Sequence, residues 1–298
     1  MQFGVALPQF GPLAAGDGVR DRIAALATAA DRLGYDVLWT AEHIVFPAEI
    51  RSPYPYGGKF PFPVTDPILE MVSTLSYVAA LTRRIRLSSS AMVLPYRHPV
   101  LAAKELATLD VLSGGRLAVG VASGWLAEEF AMLGVPFAER GARMDEALDV
   151  LRLLWTEERV TFRGRFVELT DAVAFPKPVQ TPHPPIWIGG ASRRAFERII
   201  RLGAGWLAPP RDPARLADDI RRLHAMAETA GRDPASIGVA SGGAAHDVDD
   251  LCARLPTLAA AGVTIVNVPV TFWARSFAHA LELLDAFAAR AIARSAHG

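Results

Sequence analysis

Leu109 to Phe130 read LDVLSGGRLAVGVASGWLAEEF: a helix end, a tight turn, a short apolar strand, and a small-residue loop that opens into another helix. The Gly114-Gly115 pair supplies the left-handed backbone that stops the first helix, and Leu117–Val121 is short, apolar and partly β-branched, as a buried strand should be. Helix, strand and helix in such close order predict a parallel sheet. Ser123, Gly124 and Trp125 stand at the strand's carboxyl end, the edge at which α/β folds place their chemistry.

The same alternation repeats on both sides of this block. Strand-like runs occur at Phe3–Leu7, Val37–Trp39, Ile85–Ser90, Leu117–Val121, Ile186–Ile188, Gly205–Leu207, Ile237–Ala240 and Thr264–Val268. Helical periodicity lies between them at Gly18–Leu33, Asp66–Leu81, Pro99–Leu112, Ala142–Thr156, Ser192–Leu202, Pro213–Ala230, Val248–Ala261 and Ser276–Arg294. Thr65-Asp66-Pro67 and Asp212-Pro213 place a capping oxygen ahead of a proline whose missing N–H costs nothing in a first turn. Gly34, Gly231 and Gly262 follow helix ends. Eight β/α alternations predict an α/β fold of the TIM (β/α)8 barrel type, one domain over residues 1–298. An open doubly wound sheet would carry Gly-x-Gly-x-x-Gly after its first strand, where Pro8-Gln9-Phe10-Gly11-Pro12 stands instead. Two long connections interrupt the pattern, at about 44–64 and 158–185. The first is rich in proline around Gly57-Gly58. The second holds a predicted hairpin (Val160–Phe162 with Arg165–Leu169, turning at Gly164) before a proline-rich tract. Both are expected as insertions covering the carboxyl face of the barrel.

Composition narrows the function. Hydrophobic residues make up 51% and charged residues 21%, enough for a large core, and 31 Lys+Arg balance 31 Asp+Glu. That balance removes the electrostatic argument for nucleic acid or an anionic membrane as partner. The one cysteine, Cys252, cannot form an intramolecular disulfide, which fits a reducing compartment. Met1–Pro8 reads as a buried strand rather than a signal peptide, and no apolar run approaches the ~18 residues of a membrane span. A soluble, cytoplasmic protein is expected. No His-x-His pair on an early strand, His-Glu-x-x-His or Cys pair occurs, so a metal site is not expected. Nucleophile-elbow and Walker sequences are also missing, which leaves acid–base and organic-cofactor chemistry.

The candidate residues cluster at strand ends. His43 closes Trp39-Thr40-Ala41-Glu42-His43 just past the second strand, where an imidazole could move a proton near neutral pH; the alternative is a structural His hydrogen-bonded to Glu42 or a loop carbonyl. Pro185–Ser192 (PIWIGGAS) runs a buried strand through Gly189-Gly190 into a helix start, an arrangement that aims backbone N–H groups and a helix dipole at a phosphate, although any tight βα turn can look the same. Arg193 and Arg194 stand nearby as anion partners or as a solvated helix face. Ser88-Ser89-Ser90-Ala91 ends the third strand with small residues that would let a flat ring approach. Arg97 and His98 either contact a ligand or lie on the rim.

Taken together, these pieces resemble the luciferase-like flavin and deazaflavin oxidoreductases, most closely the actinobacterial-type deazaflavin branch. The matching residues are Phe3-Gly4-Val5 through Pro8, Trp39–His43, Leu94-Pro95 with His98-Pro99, Ala103-Lys104, Leu109-Asp110 to Trp125 with Glu129-Phe130, Gly134–Phe137 with Arg140, and Pro185–Ser192 with Gly205-Trp206. The resemblance implies a TIM barrel, commonly a homodimer, that binds coenzyme F420 or FMN at the strand carboxyl ends and relies on a separate reductase to regenerate the reduced cofactor. It assigns His43 to the active-site histidine, and Ser89, Ser90 and Ala91 to the strand end beside the cofactor ring, where relatives hold a non-proline cis peptide. Ser123 and Gly124 join the cofactor site, as do Gly189, Gly190, Ala191 and Ser192 as the phosphate turn. Sugar-phosphate and alcohol dehydrogenases of the deazaflavin branch carry a glutamate where this chain has Trp125, and Glu128 and Glu129 are the nearby substitutes. Gln9, Trp125, Tyr54 and Tyr56 are expected to line the substrate pocket, although a packed loop would carry the same aromatics. The expected activity is F420-dependent hydride transfer to a small, apolar acceptor at a C=C, C=N or C=O bond. The alternatives are a two-component FMN monooxygenase and a non-catalytic barrel of the same fold.

Overall fold

The computed structural model describes residues 1–293, and the predicted helix end at Arg294 lies outside them. Eight parallel strands form a closed TIM barrel: Gln2–Ala6, Val37–Thr40, Arg86–Ser89, Leu117–Ala122, Ile186–Gly189, Gly205–Leu207, Gly238–Ser241 and Ile265–Val268. The first strand pairs with the second and the eighth, with Phe3 opposite Val266, and the third pairs with the fourth to complete the ring. All eight predicted strands are present, with ends displaced by at most one residue.

Side chains alternate across each strand and so build two cores. Outward-facing Phe3, Val5, Leu38, Leu87, Val119, Ile188 and Trp206 join the helices in the main core. Inward-facing Val37, Trp39, Ala118, Trp187, Leu207, Ala240 and Ile265 form a separate cluster inside the barrel. Its two indoles fit because neighbouring inward positions are glycine: a Cβ on Gly4 would overlap Trp39, and one on Gly205 or Gly238 would overlap Trp187.

The helices surround this barrel. α1 (Val19–Leu33), α2 (Met71–Leu81), α3 (Pro99–Ser113), α4 (Ala127–Met132), α5 (Arg140–Thr156), α6 (Arg193–Leu202), α7 (Pro213–Thr229) and α8 (Val248–Ala261) precede a short helix at Val270–Trp273 and a longer one at Phe277–Phe287 that continues as a π-helical turn over Ala288–Ile292. α2 starts five residues later than predicted, at Met71 rather than Asp66. Glu70, not Asp66, caps it, accepting from the Val72 and Ser73 amides. His98 caps α3, its Nδ1 accepting from Val100 N. Among the described residues no helix is long and apolar enough to cross a membrane.

The two long connections go to different places. Residues 44–64 carry no regular element and follow the second strand, so they leave its carboxyl end. Residues 158–185 join α5 to the fifth strand and therefore begin and end at the opposite face. Their hairpin, Val160–Arg163 with Glu168–Ala172, hangs on Glu146 of α5 through the amides of Arg165, Phe166 and Val167. Gln180 then ties the tract to Asp110 and to the Leu117 carbonyl at the start of the fourth strand. The ends of 158–185 thus lie at the amino face, while its turn runs back along α5 to pair Arg165 with Glu139 at that helix's carboxyl-side start. The second hairpin strand also lies three residues beyond its predicted start, because the Glu146 contacts hold Arg165–Val167 as the turn.

Candidate active site

His43 is fixed by a residue 86 positions away. Its Nδ1 lies 2.7 Å from Glu129 Oε2, on α4 just beyond the fourth strand. The same oxygen accepts from the Tyr96 hydroxyl at 2.7 Å, and Oε1 accepts from the amides of Ile44 at 2.5 Å and Val45 at 3.2 Å. Glu129 is fully buried. Burial alone would raise its carboxyl, but the His43, Ile44 and Tyr96 bonds outweigh it and hold the group below the usual carboxylate range. An ionised carboxylate only accepts, so the His43 nitrogen facing it carries a proton and Nε2 is the nitrogen left for other partners.

Glu42 does not orient His43. It is buried and turned the other way, accepting from Val93 N at 2.5 Å and Arg97 Nη1 at 2.7 Å, as adjacent residues of an extended segment point to opposite sides. Burial pushes its carboxyl up, opposed in part by Arg97. Arg97, ion-paired there, is a framework residue rather than a free rim cation.

The strand ends beside His43 form a small-residue floor. The Ser90–Ala91 peptide is cis, at the position implied by the resemblance. A Cβ on Gly189 would sit 3.3 Å from Ala122 Cβ and 3.9 Å from Ala91 Cβ, so the third, fourth and fifth strands converge there. Ser89 is buried and its hydroxyl donates to the Gly120 carbonyl at 2.7 Å, which ties two strands together rather than facing a ligand. Ser90 is exposed beside it, and Ser123 is half-buried. Gly124 has φ 81°, and the space its side chain would take is held by Val93 and Phe130. Its glycine is thus demanded by the protein's own packing.

The Gly189–Ser192 turn enters α6. Ser192 caps the helix by accepting from Ala195 N at 3.2 Å, Gly190 has φ 99°, and the Gly190 carbonyl accepts from Trp206 Nε1 at 2.6 Å. With Ala195 N taken by Ser192, the amides of Arg193 and Arg194 are the ones at the start of α6 with no intrahelical acceptor, and they can bind an anion. Arg193 and Arg194 point away, more than 80% exposed and paired with Glu197. The guanidinium that reaches the turn is Arg222, donating to the Ala191 carbonyl at 2.6 Å.

An aromatic cover closes over His43. Trp125 meets the His43 ring edge-on at 5.9 Å, Tyr54 at 5.3 Å, and Phe60 nearly parallel at 6.1 Å. Phe46, which sequence reasoning missed, lies 4.5 Å from the His43 ring. Tyr56 touches only the outer edge of the cluster, through Tyr54, and is 56% exposed. Gln9 is fully enclosed: its amide nitrogen donates to the Ala41 and Leu69 carbonyls and its oxygen accepts from Ala41 N. It braces the loops and does not line a pocket. The signal that could have found Glu129 is topological, since it follows the fourth strand as His43 follows the second, on the same barrel face.

The family model for luciferase-like monooxygenases matches residues 1–253. The chain belongs to that family. An uncharacterised protein of Mycobacterium tuberculosis is 36% identical over 218 residues, 70% of this chain and 75% of the relative. Two luciferase-like relatives are named for opposite cofactors. The FMNH(2)-dependent dimethylsulfone monooxygenase of Pseudomonas putida is 34% identical over 59% of this chain and 45% of its own length. The F420-dependent glucose-6-phosphate dehydrogenase of Amycolatopsis mediterranei is 30% identical over 67% of this chain and 54% of its own. Among solved structures, monooxygenase RslO1 of Streptomyces bottropensis superposes with a TM-score of 0.81 at 24% identity, covering 99% of this chain and all of that one. The coenzyme F420-dependent tetrahydromethanopterin reductase of Methanopyrus kandleri gives 0.76 at 17% identity, covering 98% and 99%. Both share the luciferase-like barrel. The family's named members here are oxidoreductases and monooxygenases, some named for FMN and some for F420, which supports an enzyme of that kind.

Proposed function

We propose that this chain is a coenzyme F420-dependent oxidoreductase acting on a small, apolar acceptor at a C=C, C=N or C=O bond. The observation that carries the proposal is His43, anchored at Nδ1 by buried Glu129 and standing over the same barrel mouth as the Ala91–Ala122–Gly189 floor.

The residues present fit such a cofactor. The floor is stripped of bulk where a flat ring would need to approach. The Gly189–Ser192 turn offers helix-start amides to a phosphate. When bound, the deazaflavin supplies or accepts the hydride. His43 Nε2 gives or takes the accompanying proton at the acceptor. Trp125, Phe60 and Tyr54 exclude water and orient an apolar substrate. Glu128 and Glu129 do not replace the acid missing at Trp125. Glu128 is held by Ser52, and Glu129 lies behind His43. Proton handling therefore falls to His43. The enzyme would work in the cytoplasm as a homodimer, with a separate reductase renewing the cofactor.

The dimethylsulfone monooxygenase relative favours a second reading, an FMN-dependent two-component monooxygenase built on the same residues. Separate titrations with F420 and FMN decide between them. Tight F420 binding is expected. Tight FMN binding without F420 binding would overturn the proposal in favour of the second reading, and binding of neither would leave a non-catalytic barrel.

A further inference from the structure

The four bonds to Glu129 are not interchangeable. Oε1 faces two backbone donors, Ile44 N and Val45 N, while Oε2 faces His43 Nδ1 and the Tyr96 hydroxyl. Backbone N–H groups cannot reverse their polarity, so the first pair fixes which end of the carboxylate must be an acceptor. The hydroxyl and the imidazole can each donate or accept. The protonation pattern of His43 is thus set by what Glu129 presents on its second oxygen.

We infer that Glu129 is a positioning residue that locks His43 in the tautomer protonated at Nδ1, leaving a bare Nε2 on the neutral ring and an Nε2–H donor on the charged one. The tautomer assignment stands on the hydrogen bonds and on the ionised Glu129 carboxylate that they favour, and only its catalytic consequence rests on the proposed function. The arrangement also joins two events. The amides that bind Oε1 are the first two residues of the 44–64 insertion, so the carboxylate that sets the tautomer also holds the base of the aromatic cover.

Replacing the carboxylate by an amide gives a sharp test. In Glu129→Gln the side-chain oxygen must stay on the Ile44 and Val45 amides, because the reverse orientation would aim NH2 at two donors. The NH2 group then faces His43 Nδ1 and forces it to accept, which moves the neutral ring's proton to Nε2. Nitrogen-15 NMR of the imidazoles, taken at a pH above which the His43 nitrogen shifts no longer move, reads this directly, with the His43 signals assigned by their loss in His43→Ala. Wild type and Tyr96→Phe should show Nδ1–H, and Glu129→Gln should show Nε2–H. An Nε2–H tautomer in wild type, or an unchanged tautomer in a folded Glu129→Gln, would overturn the inference. If Glu129→Gln fails to fold, the wild-type tautomer still decides. With the preferred cofactor, Glu129→Gln should lose roughly 100-fold in turnover, the lower end of acid–base contributions, with cofactor affinity within about twofold. If wild type turns over with neither cofactor, the proposed function fails, and the NMR result stands independently.

Discussion

Ser52 and Glu128 grip each other across 76 residues: the hydroxyl donates to Glu128 Oε2 at 2.6 Å and accepts from Ala127 N at 3.0 Å. Glu128 Oε1 also accepts from the Arg51 and Ser52 amides at 2.8 and 3.0 Å. With Glu129 on Ile44 and Val45, two neighbouring carboxylates of α4 hold the insertion at two points. What lies between Ser52 and the Phe10–Ile68 bridge is the stretch that carries Tyr54, Phe60 and Phe62.

Ser52→Ala should loosen that stretch without unfolding the barrel. A hydrogen bond to a charged group contributes about 1.5 kcal/mol or somewhat more, so local opening should become about tenfold more frequent. Hydrogen exchange of the amides in 44–64 should accelerate by that factor while the barrel strands stay protected. Unaltered exchange in the insertion would show that the clamp contributes nothing.

On the proposed function, His43→Ala should leave cofactor affinity nearly unchanged and reduce turnover by at least ~100-fold. Equilibrium titration and steady-state kinetics on the same preparation separate the two effects. Undiminished turnover would remove His43 from the chemistry.

Gly120→Ala is expected to be among the most damaging single-methyl additions in the barrel. The new Cβ would overlap the Ser89 carbonyl and approach Leu207 Cδ1 to 2.9 Å. Backbone cannot yield as a side chain can, so the cost should reach or exceed the upper end of the ~1–3 kcal/mol typical of overpacking. The urea midpoint should fall accordingly, and a wild-type midpoint would contradict the packing described.

Acid stability should depend on Glu129. Its folded carboxyl lies below the ~4.3 of an unfolded glutamate, so across that interval the unfolded chain binds more protons and stability rises with pH. The stabilisation is complete above ~4.3 and is lost as pH falls through the depressed folded value. Thermal melts below pH ~4.3 should therefore decline less steeply in Glu129→Gln than in wild type. Glu42, whose folded carboxyl is raised, acts in the opposite sense: its contribution is present below ~4.3 and fades as pH rises through the folded value.

The barrel was legible in the sequence because its signals are local. Leu117–Ala122 is bounded by Gly115 and Gly124, and Ile186–Gly189 by Pro185 and Gly190, so each strand announces itself within a few residues. The start of α2 was harder, since Asp66-Pro67 and Glu70 both satisfy capping chemistry and it is the Phe10–Ile68 bridge, with Gln9 on the Leu69 carbonyl, that keeps 67–69 out of the helix. Within the site, His43 and the Gly189–Ser192 turn could be picked out by strand-end position. Their partners could not. Glu42 adjoins His43 in sequence but faces Val93 and Arg97, whereas Glu129 reaches it only through the barrel's curvature. Connectivity places the two ends of 158–185 at the amino face, since a segment from helix to strand ends at the strand's amino end, whereas the reach of its turn to Glu139 and Glu146 depends on tertiary contacts.

The two indoles enclosed by the barrel, Trp39 and Trp187, have a kinetic consequence. With the barrel interior packed by these rings and their neighbours, nothing passes through it, and ligands reach the strand carboxyl ends from the side roofed by Trp125 and Phe60. On the proposed function, a cofactor and an acceptor that meet at His43 both enter from that side. On that function the deeper occupant has to arrive first and leave last, so initial-rate patterns should be those of compulsory order, with the spent cofactor competing against the fresh cofactor and the acceptor's product giving mixed inhibition.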